Sequence, residues 1–61
     1  MQRKFTYGFW KNGIHYEIYD VIDEINFENT ECYYECVKND SVIGRFKSFD
    51  ESQRFIENYE G

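Results

Sequence analysis

Cys32 and Cys36 are the residues of this chain whose spacing most directly suggests chemistry. On a helix the four-residue spacing would bring the two thiols together, but on a strand it separates them by about 13 Å at ~3.3 Å per residue. A disulfide needs Cα atoms about 4.4–6.8 Å apart. Because the intervening Tyr33 and Tyr34 favour a strand, we predict two reduced structural thiols, with a disulfide to another chain as the alternative.

A metal site or a catalytic centre finds less support in the sequence. His15 is the single histidine, and no zinc-ligand spacing relates it to the cysteines. The acids between Glu17 and Glu35 lack the alternation and the sixth-position glycine of a calcium loop. His15 has Trp10 and Glu17 as neighbours, but a catalytic histidine also needs a pocket, an orienting group and a second functional residue. We therefore predict no metal, no cofactor and no enzymatic activity.

The charge of the chain is negative and unevenly placed, with a net charge of −5 at pH 7. Residues 1–11 carry only basic charges, whereas residues 12–37 carry only acidic ones: Glu17, Asp20, Asp23, Glu24, Glu28, Glu31 and Glu35. Such a field repels nucleic acid and anionic membranes and attracts basic partners. Its plainest interpretation is solubility.

The length of 61 residues limits the chain to one domain, 1–61, with one small core. A chain this short buries only about 60% of its unfolded surface, which favours self-association or a partner. No stretch approaches the ~20 apolar residues of a membrane span, and the first residues lack the apolar core of a secretory signal. We therefore expect a cytoplasmic protein that contacts no membrane. The lack of Leu, Ala and Pro is typical of AT-rich coding and suggests a bacterial, phage or mobile-element source.

The candidate residues must be positioned by two hairpins, of which Asn12-Gly13 marks the first as a two-residue type I′ turn. This turn pairs Phe9 with Tyr16, Tyr7 with Ile18, and Phe5 with Asp20. Since side chains alternate along a strand, one apolar face should hold Phe5, Tyr7, Phe9, Tyr16 and Ile18. The other face should hold Thr6, Gly8, Trp10, His15, Glu17 and Tyr19.

The second hairpin is predicted from strand 31–38, the turn Asn39-Asp40 and strand 41–47. Its register pairs Val37 with Val42, Glu35 with Gly44, and Tyr33 with Phe46, and these pairs are expected on the core face. The opposite face then holds Cys36 with Ile43, Tyr34 with Arg45, and Cys32 with Lys47. Between the hairpins, residues 20–30 fit either an extension of the second strand or a short helical turn, with 27–30 as the loop.

The C-terminal segment carries the clearest helix signal. Ser48 and Glu51 match a capping box, and Ser52, Phe55, Ile56 and Tyr59 form one stripe at helical spacing. The sequence therefore predicts an α+β domain, with an antiparallel sheet of about four strands and one helix packed on one face. The predicted core is Phe5, Tyr7, Phe9, Tyr16, Ile18, Tyr33, Val37, Val42, Phe46, Phe55, Ile56 and Tyr59.

The sheet face away from the helix is the predicted working surface. Exposed aromatic residues rimmed by charge are typical of interaction surfaces. We expect a non-enzymatic protein-binding module, an adaptor or inhibitor, with partner-binding residues Trp10, Tyr19, Tyr34, Ile43, Glu17, Asp20, Asp23 and Glu24. The alternative is that residues 20–30 fold back and bury this face with Val21, Ile22, Ile25 and Phe27.

Other functions compete with this one. The chain could be a phage-encoded inhibitor whose carboxylates imitate phosphates and occupy a basic, nucleic-acid-binding host protein. The run Val42–Glu51 is similar in outline to the strand and capped helix of integrase arm-binding domains, a resemblance that would imply DNA binding by the sheet. The acidic middle of this chain departs from their basic surface, so nucleic acid is the weaker partner, served by Arg3, Lys4, Lys11, Arg45 and Lys47 gathered at one edge. A third function is a structural homodimeric subunit.

Overall fold

The computed structural model describes residues 1–60, and these form four strands followed by one helix. The elements are β1 (Gln2–Lys11), β2 (Ile14–Glu24), β3 (Thr30–Lys38), β4 (Ser41–Phe46) and α1 (Phe49–Glu57). The sheet order is β1-β2-β3-β4 and every pairing is antiparallel. The predicted fold class, with one C-terminal helix on one face of a four-stranded sheet, is confirmed.

The two predicted hairpin turns are both present, and both use left-handed backbone. Asn12 and Gly13 have φ of 54° and 77°, and Asn39 and Asp40 have φ of 45° and 69°. Positive φ at both central residues is the type I′ geometry, whose twist matches that of the flanking strands. The backbone of Asn39 donates to the His15 carbonyl oxygen at 2.9 Å, so the two turns are tied together at one end of the sheet.

Of the two structures predicted for residues 20–30, the extension of the second strand is the one that the structure has. β2 continues to Glu24 and pairs with β3 as far as Thr30. Ile25 to Asn29 form the connecting turn, in which the Ile25 N–H donates to the Asn29 carbonyl oxygen at 3.0 Å. The segment therefore lies in the sheet and its turn, and does not fold back over the face opposite the helix.

A bulge at Thr6 overturns the predicted position of Phe5. The pairs Phe9–Tyr16 and Tyr7–Ile18 are confirmed, but Phe5 lies opposite Tyr19 rather than Asp20, so Thr6 is an extra residue. An extra residue in one strand reverses the faces beyond it. Phe5 consequently leaves the core side and packs edge-on against Tyr19 with ring centroids 6.0 Å apart.

A second bulge, at Ile43, shifts the predicted pairing of β4 with β3 by one residue beyond Val42. Val37 pairs with Val42 as expected, but Cys36 then pairs with Gly44, so the predicted pairs Glu35–Gly44 and Tyr33–Phe46 are wrong. Sequence counting from the turn could not show this extra residue. Beyond the bulge, Gly44 faces the helix side, where an added Cβ would lie only 3.0 Å from a ring carbon of Phe46.

The core lies between α1 and the sheet. Tyr16, Ile18, Cys36 and Ile56 are buried, and the partly buried apolar residues around them are Tyr7, Phe9, Ile14, Tyr34, Ile43, Phe46, Phe49, Phe55 and Tyr59. Eight predicted core residues are thus confirmed at the helix side. Phe5 and Val42 are exposed instead, Tyr33 lies on the opposite face, and Val37 is buried but on that same opposite face.

The start of α1 is held by the predicted cap. The Glu51 N–H donates to the Ser48 hydroxyl oxygen at 3.3 Å, which satisfies one of the free donors of the first turn. Ser52 is fully buried, and its hydroxyl donates to the Phe49 carbonyl oxygen at 2.8 Å. The Cys36 thiol in turn donates to the Ser52 carbonyl oxygen at 3.5 Å, which joins the helix to the middle of β3.

The β2–β3 hairpin gives the molecule its length of 43 Å against a width of 19 Å. The pairing of β1 with β2 ends at Gln2–Ile22, and that of β3 with β4 ends at Tyr34–Phe46. Residues 23–31 therefore pair only with each other and project beyond the rest of the sheet. Within residues 1–60, no helix has the length and apolar character that crossing a membrane requires.

Replacing Gly13 by alanine should destabilise the fold through the backbone alone. An added Cβ at Gly13 meets no atom within 4 Å, but φ is +77°, and left-handed backbone costs a residue with a Cβ about 1–2 kcal/mol. Gly13→Asn is the matched control because asparagine tolerates this region better. We expect urea denaturation to show a clearly larger loss for Gly13→Ala than for Gly13→Asn, and equal losses would contradict a type I′ turn here.

Candidate interaction surface

The outer face, defined as the sheet face opposite α1, is the candidate site. Helix α1 contacts β2, β3 and β4 through the core on the other side. Strand alternation and the two bulges place these residues on the outer face: Arg3, Phe5, Gly8, Trp10, His15, Glu17, Tyr19, Val21, Asp23, Glu31, Tyr33, Glu35, Val37, Val42 and Arg45. The face has to meet water or a partner with its own side chains.

A salt bridge across three strands lies at the centre of the outer face. The Glu35 side chain on β3 is only 7% exposed, and its Oε1 lies 2.7 Å from Nη2 of Arg3 on β1. Its Oε2 lies 3.2 Å from Nε of Arg45 on β4. A buried carboxylate requires such charged partners, because desolvation of an unpaired charge is costly. Glu35 therefore joins the two edge strands of the sheet.

The two arginines also lie over tyrosine rings. The Arg3 guanidinium is 4.1 Å from the centroid of Tyr19, and that of Arg45 is 5.8 Å from the centroid of Tyr33. Both distances are within the range of cation–π attraction. Val21, whose cross-strand partners are Arg3 and Tyr33, is fully buried without any contribution from the helix. The centre of the outer face is consequently a second, thinner packed layer.

Near the two hairpin turns, a row of polar and aromatic side chains positions Trp10. The Tyr19 hydroxyl donates to Glu17 Oε2 at 2.7 Å, and this bond together with burial raises the pKa of Tyr19. Glu17 Oε1 lies 3.6 Å from His15 Nδ1, longer than a hydrogen bond. The His15 ring stacks on Trp10 with centroids 4.5 Å apart, and the indole is still 70% exposed.

The structure brings together only part of the predicted site. Trp10, Glu17 and Tyr19 share the outer face as expected, and Asp23 continues it toward the end of the β2–β3 hairpin. Asp20 and Glu24 alternate to the other face.

Tyr34 and Ile43 were expected beside Trp10, and this placement is wrong. Both pack against the core cluster, and Tyr34 meets the ring of Phe49 in the helix at 5.8 Å. The bulge at Ile43 is the reason, because it changes the cross-strand partner of Arg45 from Tyr34 to Glu35, so that Glu35 and not Tyr34 shares the outer face with Arg45.

Sequence reasoning missed two exposed apolar residues of the outer face, Phe5 and Val42. Phe5 covers Gly8, where an added Cβ would lie 2.9 Å from the ring. A glycine close to an aromatic residue on an edge strand is the signal that could have located Phe5, since aromatic rings commonly shield such glycines.

The five basic residues that the nucleic-acid alternative expected at one edge are not all gathered there. Arg3 and Arg45 belong to β1 and β4, which are the opposite edges of the sheet. Both are engaged by Glu35. Lys4 pairs across from Asp20 on β2.

The acidic tip, defined as residues 23–31, is the second exposed feature. It contains Asp23, Glu24, Glu28 and Glu31 and no basic residue. Phe27 at its apex is fully exposed, and Ile25 is 58% exposed. Two exposed apolar side chains therefore lie among negative charges at the end of a projecting hairpin.

The two cysteines lie on β3 and are both free, in agreement with the predicted strand that separates them. Cys32 is exposed, while Cys36 is buried, and burial raises the pKa of the Cys36 thiol from 9.0 to about 11. Within residues 1–60, no group of three or more His, Cys, Asp or Glu side chains is placed to hold a metal ion.

Comparison with known proteins gives no match for this chain, whether to a protein-family model, to a curated protein or to a solved structure. A function for the outer face and the acidic tip is therefore argued from the contacts of their own residues.

Glu35→Gln should destabilise the fold by about 1.5–3 kcal/mol, the typical contribution of hydrogen bonds to charged groups. The substitution keeps the size of the side chain but leaves Arg3 and Arg45 without their carboxylate. Glu31→Gln is the matched control, since Glu31 is an exposed acid on the same strand and face. Urea denaturation should show the loss for Glu35→Gln alone, and comparable behaviour of the two variants would refute the bridge.

Thiol labelling should distinguish the cysteines. At pH 8 we expect one thiol, Cys32, to react rapidly in the folded chain, and Cys36 to react only through unfolding. Cys32→Ser should abolish the rapid phase and Cys36→Ser should leave it, as followed by mass spectrometry.

The raised pKa of Cys36 also makes the free energy of unfolding depend on pH. The protonated thiol of Cys36 contributes stability that is fully present below pH 9 and is lost as pH rises through about 11.

Proposed function

We propose that this chain is a non-enzymatic protein-binding module that docks through its outer face. One observation carries the proposal: three of the six exposed large apolar residues of the described chain, Phe5, Trp10 and Val42, lie on this face. Exposed aromatic and apolar side chains rimmed by charge are characteristic of protein interfaces. Trp10 is the expected anchor, because the stack on His15 positions a side chain that is left largely in solvent.

Charge supports a protein partner over nucleic acid. The chain has a net charge of −5, and a nucleic-acid surface needs accessible cations to neutralise phosphates. The two arginines of the outer face are already paired with Glu35. The acids Glu17, Asp23 and Glu31 share this face, so a partner with basic residues fits it better.

The structural homodimer is the competing function, and it could form through an edge strand of the sheet or through the outer face. The open edge strand β1 carries a bulge at Thr6 and the cations Arg3, Lys4 and Lys11, features that oppose edge-to-edge pairing. A dimer would therefore pair through the other edge strand, β4, or through the outer face. Light scattering at micromolar concentration separates the two functions, because the proposed module is a monomer until its partner is added.

Trp10→Ala should weaken partner binding roughly 30-fold, the loss typical of an interface hot spot. Lys11→Ala is the matched control, because Lys11 is the exposed next residue of β1 and points to the other face. The tagged chain would be used to capture partners from a lysate of its source, with and without nuclease, and the purified partner would then be titrated.

A protein that survives nuclease, is lost with Trp10→Ala and is kept with Lys11→Ala would support the proposal. Equal retention by both variants would exclude the outer face as the docking surface. Recovery that depends on nucleic acid would favour the nucleic-acid function instead. The urea midpoint of Trp10→Ala should match that of the parent chain, because the indole is mostly exposed.

A further inference from the structure

The acidic tip contributes nothing to the core under α1, yet it is an ordered hairpin. Residues 23–31 pair only with each other, and the projecting side chain of Phe27 is fully exposed. An exposed phenylalanine at an apex does not stabilise this fold, and large apolar residues that remain in water commonly mark contact sites.

The backbone of the turn is fixed by its own hydrogen bonds. The Asn26 side-chain oxygen accepts from the N–H groups of Glu28 and Asn29 at 2.8 and 3.0 Å. The Ile25 N–H donates to the Asn29 carbonyl oxygen across the turn. The backbone of Phe27 is consequently held in a defined position, and an anchor with a preorganised backbone loses less conformational freedom on binding.

Two carboxylates of the tip oppose each other at a cost to folding. Asp23 and Glu31 are direct cross-strand partners on the outer face, and like charges at such positions are destabilising. One lysine would relieve this repulsion at either position. An arrangement that weakens the hairpin but concentrates negative charge around Phe27 and Ile25 is explained by a partner that supplies the opposite charge.

We propose that the acidic tip docks into a partner protein that presents an apolar pocket bordered by lysine and arginine. Phe27, assisted by Ile25, enters the pocket, and Asp23, Glu28 and Glu31 meet the basic rim. The same carboxylates repel nucleic acid and anionic membranes, and a second copy would bring acids against acids. This inference rests on the proposed protein-binding function and adds a second contact to it.

The test uses the full chain with Phe27→p-benzoylphenylalanine, irradiated in a lysate of its source. Phe5→p-benzoylphenylalanine is the second probe, a ring 55% exposed on the outer face, and its photoproduct reports on the outer-face contact rather than on the tip. The photoproduct at position 27 should be one protein, cross-linked through a surface rich in Lys and Arg. A photoproduct with a second copy, with nucleic acid, or with an acidic surface would overturn the proposal.

Affinity of the purified partner then separates the roles of shape and charge. Phe27→Ala should weaken binding at least tenfold and Phe27→Leu less, whereas neither should change the urea midpoint. Glu31→Lys should raise the urea midpoint, since it removes the repulsion with Asp23. The same substitution should weaken binding about fivefold and make the affinity less dependent on salt concentration. Unchanged affinity in Phe27→Ala or in Glu31→Lys would overturn the proposal.

These measurements test the two proposed docking surfaces separately. Loss of the partner with Trp10→Ala but not with Phe27→Ala leaves the outer face as the site and excludes the tip. Loss with Phe27→Ala but not with Trp10→Ala supports the tip and excludes the outer face. Retention in both variants contradicts both.

Discussion

A single nine-residue helix covers only one face of this four-stranded sheet, and the rest of the structure depends on how the other face is stabilised. A central salt bridge and the buried valines Val21 and Val37 stabilise it together. Glu35 joins Arg3 and Arg45 across the sheet, and their guanidinium groups lie over Tyr19 and Tyr33. Arginine suits this role because its planar head can pair with a carboxylate and lie against an aromatic ring at the same time.

This arrangement links folding to the surface available for binding. The paired charges occupy the centre of the outer face. The exposed apolar side chains lie around them, with Phe5 on the edge strand β1, Trp10 and Val42 toward the hairpin turns, and Ile25 and Phe27 at the acidic tip. A partner that spans the molecule would contact apolar residues at both ends and a neutralised polar layer between them. Binding then need not break the bridge that holds the edge strands.

How far the sequence predicts this structure depends on whether a feature is local. The turns at Asn12-Gly13 and Asn39-Asp40 and the cap at Ser48 are determined by neighbouring residues, and all were predicted correctly. The bulges at Thr6 and Ile43 were not, because a strand pattern with one extra residue looks continuous along the chain. The bulge at Thr6 reverses the side chains beyond it, which is why Phe5 left the predicted core. The bulge at Ile43 pairs Arg45 with Glu35 instead of Tyr34, which is why Tyr34 left the predicted site.

The separation of the acidic tip from the core has an evolutionary consequence. Residues 23–31 are supported by one turn and by pairing with each other, and no helix residue contacts them through the core. Substitutions among these nine positions can therefore accumulate without a penalty in the packing under α1. Under the proposed docking of the tip, such a scaffold would change its partner by exchanging the end of one hairpin, while the sheet, the bridge and the helix stay the same.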